Sequence, residues 1–365
     1  MKQGKPAIGI LLHDWSLGGT ERVAIRLANA WSRLGCRVVV YVGDATGMQR
    51  ELLEPAVAVQ VADPSIRRSL VSRQRLGRWF GRCCNRDGIE VAFLPGNFYF
   101  VSLPFLVAAS RGSVRVYTKL SNSLWRSDRS RLRNRFFAWL TRRRLVRARF
   151  LVTTSPALTD EARRLLGPPV RIVEIPNPVL ESLPALDESL RRPLHVCAIG
   201  RLVAQKNFPL LLRSMACLVE LPITLDIVGD GGQRERLQAL AVSLGVAERV
   251  RFVGTVQNVQ PCLAAAEVLL LTSDFEGYPS VVVEALAAGT YVIARDCSPA
   301  MREMLPEKLV GTVVVGDDPQ AFADAMRSYF GHRSRDVARM RELASRHLVH
   351  GVAQQYLTLF ASPGP

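Results

Sequence analysis

Short apolar runs punctuate this chain at regular intervals, with amphipathic stretches between them. Ile8 to Leu12, Arg37 to Val42, Val91 to Leu94, Val114 to Thr118, Phe150 to Thr153 and Arg171 to Ile175 read as strands in the first half. Leu194 to Ile199, Thr224 to Val228, Val250 to Val253, Val268 to Leu271 and Tyr291 to Ala294 do so in the second. Helix-like stretches such as Glu21 to Trp31 and Val281 to Ala288 fill the intervals. Such alternation predicts α/β architecture, parallel sheets with helices on both faces, and ligands at the carboxyl ends of the strands. Between the halves, Pro176 to Pro193 carries four prolines (Pro176, Pro178, Pro184 and Pro193) and interspersed acids, the character of an interdomain linker. Two domains are therefore expected, residues 1–178 and 179–345, followed by a helical stretch from about Ser334 to Phe360. No internal repeat stands out.

The segment S-D-F-E-G-Y-P-S-V-V-V-E-A-L-A-A-G, Ser273 to Gly289, follows one of these strands. Gly277, Tyr278, Pro279 and Ser280 predict a turn with Ser280 as N-cap, and Gly289 predicts the C-terminal stop of the helix behind it. A helix N-terminus offers unpaired N–H groups and partial positive charge, so a phosphate is stabilised there. Glu276 just before that terminus and Glu284 one turn inside cannot hold a phosphate. They are suited to accept hydrogen bonds from hydroxyls that flank it, a sugar on one side and a ribose on the other. Arg201 and Lys206, in G-R-L-V-A-Q-K after another strand, supply cations for a diphosphate whose charge grows as it leaves. Each feature has a plainer reading: helix-dipole acids, solvated loop cations, or, at Gly18-Gly19, a tight turn before a helix. Gly229-Asp230-Gly231-Gly232 lacks G-x-G-x-x-G spacing and reads as a loop near the nucleotide base rather than a dinucleotide fingerprint.

These motifs, in this order, resemble those of the GT-B retaining glycosyltransferases of family four, over nearly the whole chain. The resemblance rests on L-G-G-T-E-R from Leu17 and on V-T-T-S-P-A-L-T-D-E from Val152 followed by I-P-N-P-V from Ile175. It rests equally on I-G-R-L-V-A-Q-K-N, I-V-G-D-G-G-Q-R from Ile227, and the paired-glutamate segment. It implies two Rossmann-like domains facing across a cleft, with residues 346–365 crossing back to the first. The amino-terminal domain would bind the acceptor and the carboxy-terminal one the nucleotide sugar, with UDP as the nucleotide. It implies that Gly18 and Gly19 let the backbone approach the donor phosphate and that Arg201 and Lys206 neutralise the diphosphate. Glu276 would touch the donor sugar and Glu284 the ribose, with Gly277, Tyr278, Pro279, Ser280 and Val281 lining the donor. Where many relatives carry a histidine near the donor sugar, this chain has Lys119-Leu120-Ser121-Asn122, which leaves any acid or base unassigned. His13 is the one histidine before the linker.

At 365 residues and 48% hydrophobic content, two ordinary cores can be built. No apolar run is long enough for a membrane span, and no signal peptide is expected. Seven scattered cysteines suit reduced thiols, hence a cytoplasmic setting, and Cys83-Cys84 reads as two incidental thiols. No paired-aspartate triplet occurs, so neither a metal nor another cofactor is expected.

Charge changes the picture of partners. The formal net charge is +16, and from Lys119 to Arg149 basic residues outnumber Asp128, the one acid there, with Trp125, Phe136, Phe137 and Trp139 interleaved. A helix basic on one side and aromatic on the other is expected to lie at an anionic membrane surface. Arg67, Arg68, Arg73, Arg75, Arg78, Arg82 and Arg86, with Trp79 and Phe80, repeat the theme. Nucleic acid is the less favoured partner because no nucleic-acid motif accompanies the arginines. An arginine-rich composition without a partner is the plain alternative. The expectation is thus a metal-independent glycosyltransferase acting on a glycan or lipid-linked acceptor at the cytoplasmic membrane face. The rival is a catalytically silent nucleotide-sugar or nucleic-acid binding protein on the same fold.

Overall fold

The computed structural model describes residues 5–16, 18–69, 71–125 and 129–362. Leu17 of the L-G-G-T-E-R motif, and Arg126 and Asp128 of the basic stretch, lie outside these described residues. By its contacts the chain divides into two units, Met1–Pro178 with Val349–Pro365, and Val179–Leu348.

The first unit runs β1 (Ile8–Leu12), α1 (Gly19–Arg33), β2 (Val38–Val42), β3 (Ala58–Val61), α2 (Ser72–Arg86), β4 (Val91–Leu94), α3 (Leu103–Ala109), β5 (Arg115–Lys119), α4 (Arg131–Leu145), β6 (Phe150–Thr153), α5 (Pro156–Leu166) and β7 (Ile172–Glu174). The second runs β8 (His195–Ile199), α6 (Phe208–Ala216), β9 (Thr224–Val228), α7 (Arg234–Ser243), β10 (Val250–Gly254), α8 (Gln260–Ala265), β11 (Val268–Leu271), α9 (Ser280–Ala287), β12 (Tyr291–Arg295), α10 (Met301–Met304), β13 (Gly311–Val314), α11 (Pro319–His332) and α12 (Val337–Ser345). The last helix, α13 (Val349–Ala361), belongs to the first unit.

Among the described residues each unit holds one all-parallel sheet, ordered β3-β2-β1-β4-β5-β6-β7 in the first and β10-β9-β8-β11-β12-β13 in the second. β1, β2, β4, β8 and β11 are buried along nearly their whole length, as strands covered on both faces must be. Each sheet changes direction beside its first strand, the point where parallel α/β sheets open a crevice at their carboxyl edge. In the first unit α13 closes one face of the sheet. Trp31 of α1 donates to Ala353 O at 3.1 Å and packs edge-on against Phe93 and Tyr356.

Three expectations need correction. β3 and β13 had no counterpart in the sequence reading because neither is a continuous apolar run: Gln60 interrupts β3, which is half exposed, and Gly311-Thr312 opens β13. The helical stretch from Ser334 to Phe360 is two helices, α12 and α13, broken at Arg346-His347-Leu348 where the chain leaves the second unit. The proline-rich stretch is not a free linker. Val179 and Leu180 are buried, and both their N–H groups donate to His347 O, at 2.9 and 3.1 Å.

Candidate functional site

In the second unit the site grows from the loops that follow β8, β9 and β11. Gly229, at φ +134°, brings its backbone so close to Gly200 that a Cβ there would fall 2.0 Å from Gly200 O. A Cβ on Gly231 would lie 2.6 Å from Leu202 O. Leu202 N donates to Asp230 O at 2.9 Å, and Gln233 N to Leu202 O at 3.0 Å. The glycine run is thus a backbone-on-backbone brace for the loop carrying Arg201. Side chains are excluded there by contact, and at Gly229 also by a conformation that L residues avoid.

The loop after β8 is laced to the loop after β11. Asp274 N donates to Gln205 O at 2.8 Å, Gln205 Nε2 to Phe275 O at 2.7 Å, and Thr272 Oγ1 to Lys206 O at 3.1 Å. Asn207, at φ +46°, opens α6 and donates through Nδ2 to Asp274 at 2.9 Å, while Arg295 pairs with the same carboxylate. This lacing sets Lys206 Nζ 2.5 Å from Glu276 Oε1. Ser273 Oγ donates to that same oxygen at 2.8 Å, and Glu276 N donates to Cys297 O at 2.7 Å. The pair is mostly enclosed, with the lysine side chain 19% and the glutamate side chain 12% exposed. Arg201 is exposed, and it makes no ion pair among the described residues.

α9 begins at Ser280 with Pro279, not Ser280, as N-cap, a one-residue correction; no side chain caps it and its first turn carries no acid. Val282 N donates to Pro279 O at 3.0 Å, so the N–H groups of Ser280 and Val281 are the ones a ligand could take. Gly277 O accepts from Ser298 Oγ at 3.1 Å, and Tyr278 Oη lies 2.9 Å from His347 Nε2. Glu284 sits half-buried within α9, Val281 is half-buried and Pro279 is buried. The structure thus gathers Arg201, Lys206, Glu276, Gly277, Tyr278, Pro279, Ser280, Val281 and Glu284 at the carboxyl edge of one sheet, at and behind the loops after β8 and β11. His347, which the sequence offered no reason to select, joins them through Tyr278.

Gly18 and Gly19 lie in the first unit, at the start of α1. A Cβ on Gly18 would meet Glu21 Oε2 at 2.1 Å, the movable end of a side chain, and nothing lies within 4 Å of a Cβ on Gly19. The Glu21 carboxylate folds back over the helix start, where an anion would otherwise sit, and burial raises its pKa. Beside it, buried His13 sets Nδ1 3.2 Å from Asp14 Oδ2 and leaves Nε2 without a partner. Its pKa is lowered chiefly by burial. Asp14 takes a two-pronged contact from Arg68, at 2.7 and 3.2 Å. Burial opposes ionisation of Asp14, yet hydrogen bonds from Arg68 and Ser16 outweigh it and hold the carboxyl well below the usual range. Asp14 escaped the sequence reading, and Arg68, read there as one of a basic surface cluster, is instead the partner of Asp14. The adjacent His-Asp after the first strand was the available signal, but Arg68 arrives from far along the chain.

The basic stretches divide. In α4, Asn134, Ala138, Thr141 and Leu145 face inward. The opposite stripe carries Leu132, Phe136 and Trp139, which are 80%, 64% and 48% exposed. Phe136 stacks on Trp139, and Arg143 lies over Trp139 at 4.6 Å. The aromatic stripe is therefore outermost and interleaved with arginine, not set on a face opposite to it. In α2 the expectation fails, because Phe80 is in the core and Trp79 packs against it. Cys83 and Cys84 are buried thiols whose pKa values burial raises. Among the described residues no group of three or more His, Cys, Asp or Glu side chains is placed to share a metal ion, and no helix is long and apolar enough to cross a membrane.

The family model for glycosyl transferases group 1 matches residues 193–332, and that for the glycosyl transferase 4-like domain matches residues 18–178. This chain belongs to the group 1 glycosyltransferases. The lipopolysaccharide core biosynthesis glycosyltransferase LpsE of Rhizobium meliloti is 32% identical over 172 residues, 46% of this chain and 49% of that protein. An N-acetylgalactosaminyltransferase of Campylobacter jejuni, named for a diphospho-undecaprenol acceptor, is 28% identical over 144 residues, 40% of this chain and 39% of that protein. The chain matches no more than about half the length of either of these group 1 relatives. The solved structure of Anabaena Alr3699/HepE with UDP and glucose superposes with a TM-score of 0.79 at 19% identity, covering 98% of this chain and 100% of that one. At that identity the likeness is one of fold: two Rossmann-like domains of the GT-B class.

Proposed function

We propose that this group 1 glycosyltransferase moves a sugar from a nucleoside-diphosphate donor, a UDP-sugar, to a glycan or lipid-linked acceptor at the cytoplasmic face of a membrane, with retention and without a metal. The observation that carries the reading is the Lys206–Glu276 pair set before the uncapped start of α9. The N–H groups of α9, Arg201 and Lys206 receive the diphosphate and stabilise the charge that grows on it as the glycosidic bond breaks. In exchange Lys206 shares its ammonium between phosphate and Glu276, which turns a carboxylate oxygen toward a sugar hydroxyl. Glu284 serves the ribose. The LpsE and Campylobacter likenesses support a glycan or lipid-linked acceptor, and the outward Leu132-Phe136-Trp139 stripe among arginines supports contact with anionic lipid.

A thermal-shift screen of UDP-, GDP-, ADP- and TDP-sugars on wild type and Lys206→Ala, with product analysis in the presence of a chelator, tests the donor half. Stabilisation by UDP-sugars, reduced in the variant, is expected. Stabilisation without turnover on any lipid-linked or glycan acceptor would favour the silent binding protein. For the membrane half, flotation with anionic vesicles should fall when Leu132, Phe136 and Trp139 become serine. Binding of oligonucleotides but not vesicles would overturn it.

A further inference from the structure

Lys119 closes β5 at the carboxyl edge of the first sheet and is 1% exposed. The chain has five lysines against forty-three arginines, and among the described residues this is the one buried in a core. No carboxylate pairs with it among the described residues, and burial alone draws its ammonium down to about 7, with no charged neighbour contributing. A buried cation without a counter-charge is costly, because the interior solvates charge poorly and nothing offsets the lost hydration. The fold retains it at the edge where parallel sheets bind ligands.

Lys119 pairs in register with Val152 of β6, and alternation puts it on the same sheet face as Tyr117 and the α1 and α13 side of the core. Thr154, the first residue past β6, buries a hydroxyl with no partner. Past the end of β5, the start of α1 meets the loops after β4 and β5. A Cβ on Gly96 would touch Thr20 and Ser121 at 3.0 to 3.2 Å, and Asn97 bonds both Ser121 N and Asn122 O, at 2.7 and 2.9 Å.

We propose that Lys119 and the Thr154 hydroxyl form an oxyanion site in the first unit that takes a phosphate group carried by the acceptor. This rests on the acceptor-half reading above and names the chemistry of that acceptor. A phosphate supplies the missing counter-charge and accepts from both the ammonium and the hydroxyl.

The test uses wild-type protein labelled at lysine Cε and followed by NMR, the five lysines assigned by single substitutions. Inorganic phosphate and pyrophosphate should raise the Lys119 titration midpoint by about one unit, which means about tenfold tighter anion binding to the charged form. Thr154→Val, which keeps the lysine signal and removes the hydroxyl, should shrink that shift, and Thr154→Ser should keep it. A short polyprenyl diphosphate and a sugar phosphate, used in turn, separate lipid-borne from sugar-borne phosphate. An unmoved midpoint with all four anions overturns the proposal. A midpoint moved by UDP alone overturns it too, by giving the site to the donor. Donor stabilisation through Lys206 is read separately, so either reading can fail without the other.

Discussion

The Tyr278 hydroxyl stands 2.9 Å from Nε2 of His347, joining the loop ahead of α9 to the segment where the chain leaves the second unit. The carbonyl of the same His347 receives Val179 N and Leu180 N, the first residues of that unit. The loop ahead of α9 is thereby tied to both passages of the chain. Tyr278→Phe should cost about 1 kcal/mol in denaturant unfolding, the ordinary worth of one hydrogen bond. It should also weaken donor binding about fivefold, the equivalent of that energy. An unchanged donor Kd would confine the bond to stability.

Glu276→Gln keeps the shape of the side chain and removes the charge that Lys206 balances. Turnover should drop by about a hundredfold or more, as when a preorganised electrostatic group is lost, with the fold retained by circular dichroism. A double-mutant cycle with Lys206→Met should return a coupling of about 0.5–3 kcal/mol. Near wild-type turnover in Glu276→Gln would remove Glu276 from the reacting centre.

Two glycines should behave oppositely. Gly229→Ala meets Gly200 O and an unfavourable φ, so it should destabilise by at least about 1–3 kcal/mol. Gly19→Ala meets nothing within 4 Å and should stay within about 0.5 kcal/mol of wild type. Any loss of donor or acceptor binding in Gly19→Ala would then report a ligand against that backbone, because folding stability is unaffected.

Asp14 is held below its ordinary pKa in the folded state by Arg68 and Ser16. For a depressed carboxylate, the stabilising contribution is present above the unfolded pKa of about 4 and fades as pH falls below it. The stability gap between wild type and Asp14→Asn should therefore be full near neutrality and shrink below about pH 4. A gap independent of pH would mean that the carboxylate charge contributes nothing.

The strands of both sheets were legible from the chain because fully buried parallel strands must be apolar on both faces, and such runs need no partner to be recognised. The edge strands β3 and β13 were not, since Gln60 interrupts one and Gly311-Thr312 opens the other, whereas the edge strands β7 and β10 keep a recognisable pattern. Arg201, Lys206, Glu276 and Glu284 could be selected by residue type and by position after a strand. That Lys206 pairs with Glu276, seventy residues on, could not, because the contact depends on which strands are neighbours and on the lacing of two loops.

The same limit applies elsewhere. Sequence alone determined the α/β alternation, the helix start behind Glu276, and an arginine-rich surface interleaved with aromatics. Only the tertiary structure decided that Asp14 meets both His13 and Arg68, that His347 serves Tyr278, that α4 turns its aromatics outward while α2 buries Phe80, and that Lys119 is sealed in a core with no counter-charge among the described residues. Local pattern sets what a segment becomes, whereas burial and pairing are set by segments distant in the chain, and the chemistry of a charged group follows its burial and its partners.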